Sequence, residues 1–254
     1  VTSLTAIILT HNEASNIVAC IESLRFADHL LVFDSLSGDN TVELAQKAGA
    51  EVVQHAFRDY ASQRNAALKA VEGKADWVLF VDADERVTPR LAEEIQSALC
   101  SPEFVGYRIP RHNYIFGKLT LGAGWYPDYQ TRLLRVGKAR YDPLRQVHEV
   151  VLLDGAEGTL TQPIVHYNYR DRAHFAEKQR RYSAYDARIL YQQGIHPRPR
   201  NYVFQPLRQF WWRFVTLRGY RDGLHGLQLS VLMAWYEFRK YWLLRRLWAR
   251  QSAK

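Results

Sequence analysis

The segment "VLFVDADERV", residues 78–87, holds the residues best able to do chemistry. Four apolar side chains run directly into Asp82, Asp84 and Glu85. Carboxylates this close repel one another and raise one another's pKa values, so something must offset their charge. A divalent cation is one solution. Asp-x-Asp at the end of a buried strand presents hard oxygen ligands to Mg2+ or Mn2+, and such ions bridge carboxylates to a substrate diphosphate. A helix N-terminus is another. "TPRLAEEIQSAL" opens with Thr88 and Pro89, a good cap and first-turn pair, and its positive end would favour Asp84 or Glu85. Taken alone, the motif fits both.

The elements that position these carboxylates follow from periodicity. "LTAIILTHNE", "HLLVFDS", "EVVQHAF" and "DWVLFVDADE" read as short buried strands. "ASNIVACIESL", "TVELAQKAGA" and "YASQRNAALKAVEG" carry helical spacing between them. Alternation of this kind over the first 100 residues predicts an α/β fold, a mostly parallel sheet with helices on both faces. Ligands of such sheets bind beyond the carboxyl ends of the strands. Thr10-His11-Asn12-Glu13, the run Asp34 to Asp39, and Asp82-Ala83-Asp84-Glu85 each follow a strand, so they should converge on one edge.

From about residue 101, "GYRIPRHNYIFGKL", "YQTRLLRV" and "GTLTQPIVHYNY" predict shorter strands in a small antiparallel extension. From about residue 171 the pattern is helical, interrupted by the Pro-rich "HPRPRNYVFQP". Apolar residues at Phe204, Leu207, Phe210, Trp211, Phe214 and Leu217, and again from Leu227 to Leu243, then follow helical spacing with Arg and Lys interleaved.

The net charge of +8 is unevenly placed. Residues 200–254 hold 11 Lys/Arg against 2 Asp/Glu, while the first 199 hold 23 against 24. Amphipathic helices rich in Arg and Trp lie in membrane interfaces, so a peripheral membrane contact through these C-terminal helices is expected. The alternative is an apolar stripe packed on the catalytic domain with a solvated basic face. No nucleic-acid-binding module is recognisable, and nucleic acid is not an expected partner. The 47% apolar and 24% charged composition excludes a disordered chain. Cys20 and Cys100 form no CxxC and read as small apolar residues in a reducing compartment. No signal peptide and no run of about 18–20 apolar residues is visible, which predicts a soluble or surface-attached protein.

"VLFVDADE" is similar to the donor-site motif of inverting family 2 glycosyltransferases with the GT-A (Rossmann-like) fold. Earlier blocks agree in order: "AIILTHNEASNIVACIESL", "LLVFDSLSGDNTVELAQKAGAEV" and "YASQRNAALKAVEGKADWVLFVDADE". "GWYPDYQTRLLR" and "QVHE" resemble a subgroup that adds sugars, typically β-linked glucose, to the lipopolysaccharide core. The resemblance covers residues 3–170, and the C-terminal helices follow it more loosely. Leu36 stands where the family usually has Gly and Gly38 where it often has Thr, so the turn backbone is expected to differ there.

The resemblance implies three regions: a nucleotide-sugar-binding half over residues 1–100, an acceptor and catalytic half over 101–170, and a basic, aromatic helical region over 171–254. It implies a UDP-sugar donor, a lipopolysaccharide core acceptor, Mg2+ or Mn2+, and work in the cytoplasm at the inner face of a bacterial inner membrane. Thr10 and Glu13 would contact the nucleotide, and Asp34 would accept a hydrogen bond from uracil. Arg64 would approach the base or phosphates, its other reading being a surface charge pair; Asn65 is a further donor-site candidate. Asp82 would contact ribose or sugar, and Asp84 the metal. Glu149 in "QVHE" is nominated as the base, with Asp128 second. Gln130 and Arg132 alternate with Asp128 along one strand face, and Arg132 suits a departing diphosphate. His148 and His166 are further metal candidates, equally readable as hydrogen-bonded histidines. Trp125 and Tyr126 offer sugar-stacking faces or aromatic core.

Two rivals are weaker. A haloacid-dehalogenase phosphatase carries its Asp-x-Asp on the first strand, whereas here it follows the fourth. A non-catalytic sugar- or lipid-binding adaptor would have no need for Asp82, Asp84 and Glu149 together.

Overall fold

A computed structural model of the chain describes residues 2–101, 103–143 and 150–251. The first half runs β1 (Leu4–Thr10), α1 (Ile17–Ser23), β2 (His29–Asp34), α2 (Thr41–Lys47), β3 (Glu51–Gln54), α3 (Tyr60–Ala70), β4 (Trp77–Asp82), β5 (Glu85–Arg86) and α4 (Pro89–Leu99). There follow β6 (Phe104–Ile115), β7 (Lys118–Thr120), β8 (Tyr129–Arg135), β9 (Ala139–Tyr141), β10 (Val151–Leu153), β11 (Ala156–Thr159) and β12 (Ile164–Tyr169). Helices α5 (Arg172–Gln192), α6 (Asn201–Trp211) and α7 (Gly223–Gln251) complete the chain, with a π-helix at Trp212–Thr216 and a 3-10 turn at Gly219–Asp222 between the last two.

Packing divides the chain into two compact units. The first holds residues 1–111 and 128–166. Its strands β3, β2, β1 and β4 lie side by side in parallel, and β8 then pairs antiparallel with both β4 and β6. The expectation of an α/β fold, a parallel run of strands with an antiparallel extension, is met. Successive side chains of a strand point to opposite faces. Ala6, Ile8, Leu79 and Val81 therefore pack with Ile17, Ile21, Leu91 and Ile95 of α1 and α4. Ile7, Phe33, Val78 and Phe80 pack with Ala61, Ala67 and Val71 on and just after α3. Each helix begins where its local chemistry allows. Asp59 and Ser62 form a reciprocal capping box on α3, and Thr88 caps α4 by accepting from Leu91 N at 3.2 Å.

The second unit holds residues 112–127 and 167–254. Its core is Ile115, Tyr169, Phe175, Leu229 and Tyr236, and both α5 and α6 pack along α7. Gly226 is required by a close approach, since a Cβ there would sit 1.8 Å from the Gly219 carbonyl oxygen. Two sequence expectations change. "GTLTQPIVHYNY" is not one strand but β11 and β12, parted around Pro163. The Pro-rich break is shorter than expected, because α6 starts at Asn201 and continues through Pro206. Pro206 lacks the N–H that would bond back to the first turn of the helix.

Candidate active site

Register brings the polar clusters of the first unit level. Thr10 pairs with Asp34 in the β1–β2 ladder, Leu9 with Asp82 in β1–β4, and Asp34 with Gln54 in β2–β3. Parallel strands about 4.8 Å apart therefore end together and present these side chains at one carboxyl edge.

Asp34 is fully buried. Its Oδ1 accepts from the Thr10 hydroxyl at 2.9 Å and from the Ser37 hydroxyl, and its Oδ2 from Ser37 N at 2.8 Å and Gln54 Nε2 at 3.3 Å. Burial alone pushes a carboxyl up. Here the donors from Ser37, Gln54 and Thr10 outweigh burial and hold Asp34 below the usual carboxylate range. The turn that supplies Ser37 passes through Leu36 at φ 59°. Leu36 thus adopts the left-handed backbone that glycine takes freely.

Asp82 is held by two arginines. Arg132 spans both its oxygens, with Nη1 3.3 Å from Oδ1 and Nη2 on Oδ2, while Arg64 Nη2 donates to Oδ1 at 3.2 Å. Arg64 comes from α3 and is only 5% exposed, its guanidinium lying over the rings of Phe80 at 5.1 Å and Tyr141 at 5.6 Å. The surface-pair reading of Arg64 does not hold. Burial would raise the Asp82 pKa, but the Arg132 and Arg64 charges hold it far below the carboxylate range. Asp82 in turn raises the pKa of buried Arg132.

Glu85 is the centre of this network. It is 0% exposed and accepts from Asp82 N at 2.9 Å, Arg132 Nη2 at 3.0 Å and Arg111 Nη1 at 3.3 Å. Arg111 continues to Asp128 through Nε at 2.9 Å and Nη2 at 2.7 Å, and Gln130 Nε2 donates to Asp128 at 3.0 Å. Three carboxylates, Asp82, Glu85 and Asp128, thus meet three guanidiniums, Arg64, Arg132 and Arg111. The helix-cap reading of Glu85 is corrected: Thr88 does the capping, and Glu85 faces inward from β5. Asp84 lies outside this balance. Its Oδ2 is 3.5 Å from His166 Nε2, and no Lys or Arg pairs with it among the described residues. His166 is placed there because β12 pairs antiparallel with β5, His166 opposite Glu85.

Residues 5–146, more than half the chain, match the family model for glycosyl transferase family 2. The lipopolysaccharide core biosynthesis glycosyltransferase LpsC of Rhizobium meliloti is 31% identical over 92% of this chain and 89% of its own. The chain belongs to glycosyl transferase family 2. An uncharacterized glycosyltransferase of Rickettsia bellii is 27% identical over 96% of this chain and 86% of its own. A solved mannosyl-3-phosphoglycerate synthase from Rubrobacter xylanophilus aligns over 76% of this chain and 75% of its own, at TM-score 0.49 and 19% identity.

In this family 2 glycosyltransferase, the remaining sequence candidates fall into different settings. Glu13 is half-buried, accepts from Asn16 Nδ2 at 2.7 Å and donates its N–H to Thr41 at 2.8 Å. Asn65 spends its amide on Tyr141, Nδ2 donating to its carbonyl at 2.9 Å and Oδ1 accepting from its N–H at 2.8 Å. It thereby ties α3 to β9 and steadies the Tyr141 ring under Arg64. Glu149 and His148 lie outside the described residues. In the second unit, Trp125 packs edge-on to Tyr169 at 5.7 Å with the Arg213 guanidinium 5.7 Å away, which makes it core; Tyr126 is 37% exposed.

Among the described residues no three His, Cys, Asp or Glu side chains gather to hold a metal by protein groups alone. The donor set still fits Mg2+ or Mn2+ bound with substrate. Mg2+ is commonly held by one or two carboxylates, with phosphates and water completing its shell. Asp84 would be such a carboxylate: among the described residues no arginine compensates it, and the His166 imidazole lies beside it.

Sequence reasoning missed Arg111, Ser37 and Gln54, and left Glu85 without a firm role. The spacing Asp34-x-x-Ser37 is a side-chain-to-backbone turn signal. Nothing local marks Arg111, since its partner Glu85 is 26 residues away.

Proposed function

We propose that this enzyme transfers glucose from UDP-glucose to an inner-core sugar of lipopolysaccharide, forming a β-linkage by single displacement. The observation that carries this reading is the alignment of Asp34, Asp82 and Asp84 at one carboxyl edge, with arginines balancing Asp82 and, among the described residues, none on Asp84. The similarity to a lipopolysaccharide core glycosyltransferase over nearly the whole chain supports the acceptor class.

Asp34 accepts the uracil N–H, with Thr10 and Glu13 beside the nucleotide. Its four hydrogen bonds already fill its lone pairs, so the 3.3 Å bond from Gln54 is the first to yield. Asp82 takes a ribose or sugar hydroxyl, and Arg132 and Arg64 stand next to it to meet diphosphate charge. Asp84 holds Mg2+ or Mn2+, aided by His166; when bound, the ion supplies Lewis acidity to the diphosphate leaving group. Glu149 removes the acceptor hydroxyl proton as that oxygen bonds to the anomeric carbon, and the bond to the diphosphate breaks. Attack opposite the α-linked UDP gives the β-product. Asp128, engaged by Arg111 and Gln130, is the less suited base. A lipid-linked acceptor sets the reaction at a membrane surface, the inner face of a bacterial inner membrane.

The test is a screen of nucleotide-sugars with a defined core acceptor, with and without Mg2+ or Mn2+, followed by linkage determination. Metal-stimulated use of UDP-glucose with a β-linked product is expected. An α-linked product, or turnover indifferent to chelation, would overturn the mechanism. Full turnover by Glu149→Gln would remove Glu149 as base.

A further inference from the structure

The C-terminal unit carries an exposed apolar and basic surface on α6 and α7. Helix α6 buries none of its residues, although it includes Phe204, Leu207 and Trp211, which are 66%, 59% and 63% exposed. On α7, Val231, Trp235 and Trp242 are 52%, 58% and 40% exposed. At about 3.6 residues per turn, positions 231, 235 and 242 fall on one line along the helix axis. Exposed apolar surface on this scale marks an interaction site rather than ordinary surface variation.

The charge around these stripes identifies the partner. Residues 200–254 hold 11 basic against 2 acidic side chains, and Arg208, Arg245, Arg246 and Arg250 are all exposed. The Arg246 guanidinium lies 4.8 Å from the Trp242 ring, and Arg213 lies 5.7 Å from Trp212. Arginine beside tryptophan suits a boundary where the ring enters an apolar layer and the cation stays among phosphates. Among the described residues no helix is long and apolar enough to cross a membrane, so α6 and α7 would lie along one.

We propose that the exposed stripes of α6 and α7 dock in the headgroup layer of an anionic bilayer. Trp211 and Trp235 enter the acyl boundary, and Arg208, Arg245 and Arg246 pair with lipid phosphates. This adds to the functional reading the means of reaching a lipid-linked acceptor, but its test needs neither donor nor acceptor.

The experiment is flotation of the full chain with phosphatidylglycerol-containing vesicles and, separately, with pure phosphatidylcholine vesicles, at low and high salt. Flotation is expected with the anionic vesicles and should weaken as salt screens the arginines. Trp211→Ser and Arg245→Gln/Arg246→Gln are each expected to weaken binding about tenfold or more. Thermal unfolding unchanged from wild type shows that these variants are folded. Failure to float with anionic lipid overturns the proposal, as does equal binding to phosphatidylcholine or wild-type binding by both variants. Self-association that Trp211→Ser abolishes, without vesicle binding, would assign the face to a second copy instead. Metal-dependent UDP-glucose turnover on the same preparation scores the functional reading separately, since either result can fail while the other stands.

Discussion

Arg132 Nη2 lies 3.0 Å from Glu85 Oε1, while the same guanidinium spans both oxygens of Asp82. Glu85 therefore holds Arg132 against Asp82 from behind and also fixes the Asp82 backbone N–H. Replacing it by Gln keeps the shape but leaves buried Arg132 without half of its countercharge. Removing one partner of a buried pair costs about 3–5 kcal/mol. Glu85→Gln is expected to lose stability of that order in urea unfolding, with donor affinity falling alongside.

Arg132→Lys keeps the charge and loses the fork. A single ammonium cannot span both Asp82 oxygens while also reaching Glu85. Turnover of UDP-glucose is expected to fall about a hundredfold, the cost of a misplaced group near the reacting centre, with a much smaller change in stability. Equal losses in both would make Arg132 a structural residue only.

Asn65 makes its two described side-chain bonds to the Tyr141 backbone. Asn65→Ala should therefore cost about 2 kcal/mol of stability, roughly one per lost bond. Its dissociation constant for UDP should stay within about twofold of wild type if α3 holds its place, since about 0.4 kcal/mol of affinity would then be lost. A large loss of UDP affinity at unchanged stability would return Asn65 to the donor site.

Asp34 makes stability pH-dependent in a defined direction. Its folded pKa is depressed, because Ser37, Gln54 and Thr10 donate to it despite burial. Its contribution is complete above the unfolded carboxylate pKa of about 4, and is lost as pH falls through the lower folded value. Acid unfolding of Asp34→Asn, compared with wild type, should show a shallower fall in stability across that window.

Leu36 at φ 59° holds a backbone that costs a side-chain-bearing residue about 1–2 kcal/mol. It is 56% exposed, so removing the side chain forfeits little packing. Leu36→Gly is expected to raise stability by about 1 kcal/mol after the greater unfolded-state freedom of glycine is subtracted. Thermal unfolding measures the shift.

The strand–helix alternation, the placement of three polar clusters after β1, β2 and β4, and the family itself were all determined by the sequence. Those features are written locally, in apolar spacing of about two or 3.6 residues and in short ordered motifs. The sequence also singled out Asp82, Asp84 and Arg132. It could not say how the acidic cluster is balanced. The answer came from Arg132, 50 residues from Asp82, and Arg111, 26 residues from Glu85. Likewise Asn65 meets Tyr141 across 76 residues, and His166 reaches Asp84 through the pairing of β12 with β5. Which residues face each other across strands depends on ladder register, fixed by the whole buried face rather than by any local period. Packing also grouped residues 112–127 with the C-terminal helices, a division that no shift in composition marks. Tertiary contacts therefore decide how the acids of "VLFVDADERV" are balanced: three guanidiniums offset Asp82, Glu85 and Asp128, and among the described residues Asp84 stays outside that balance.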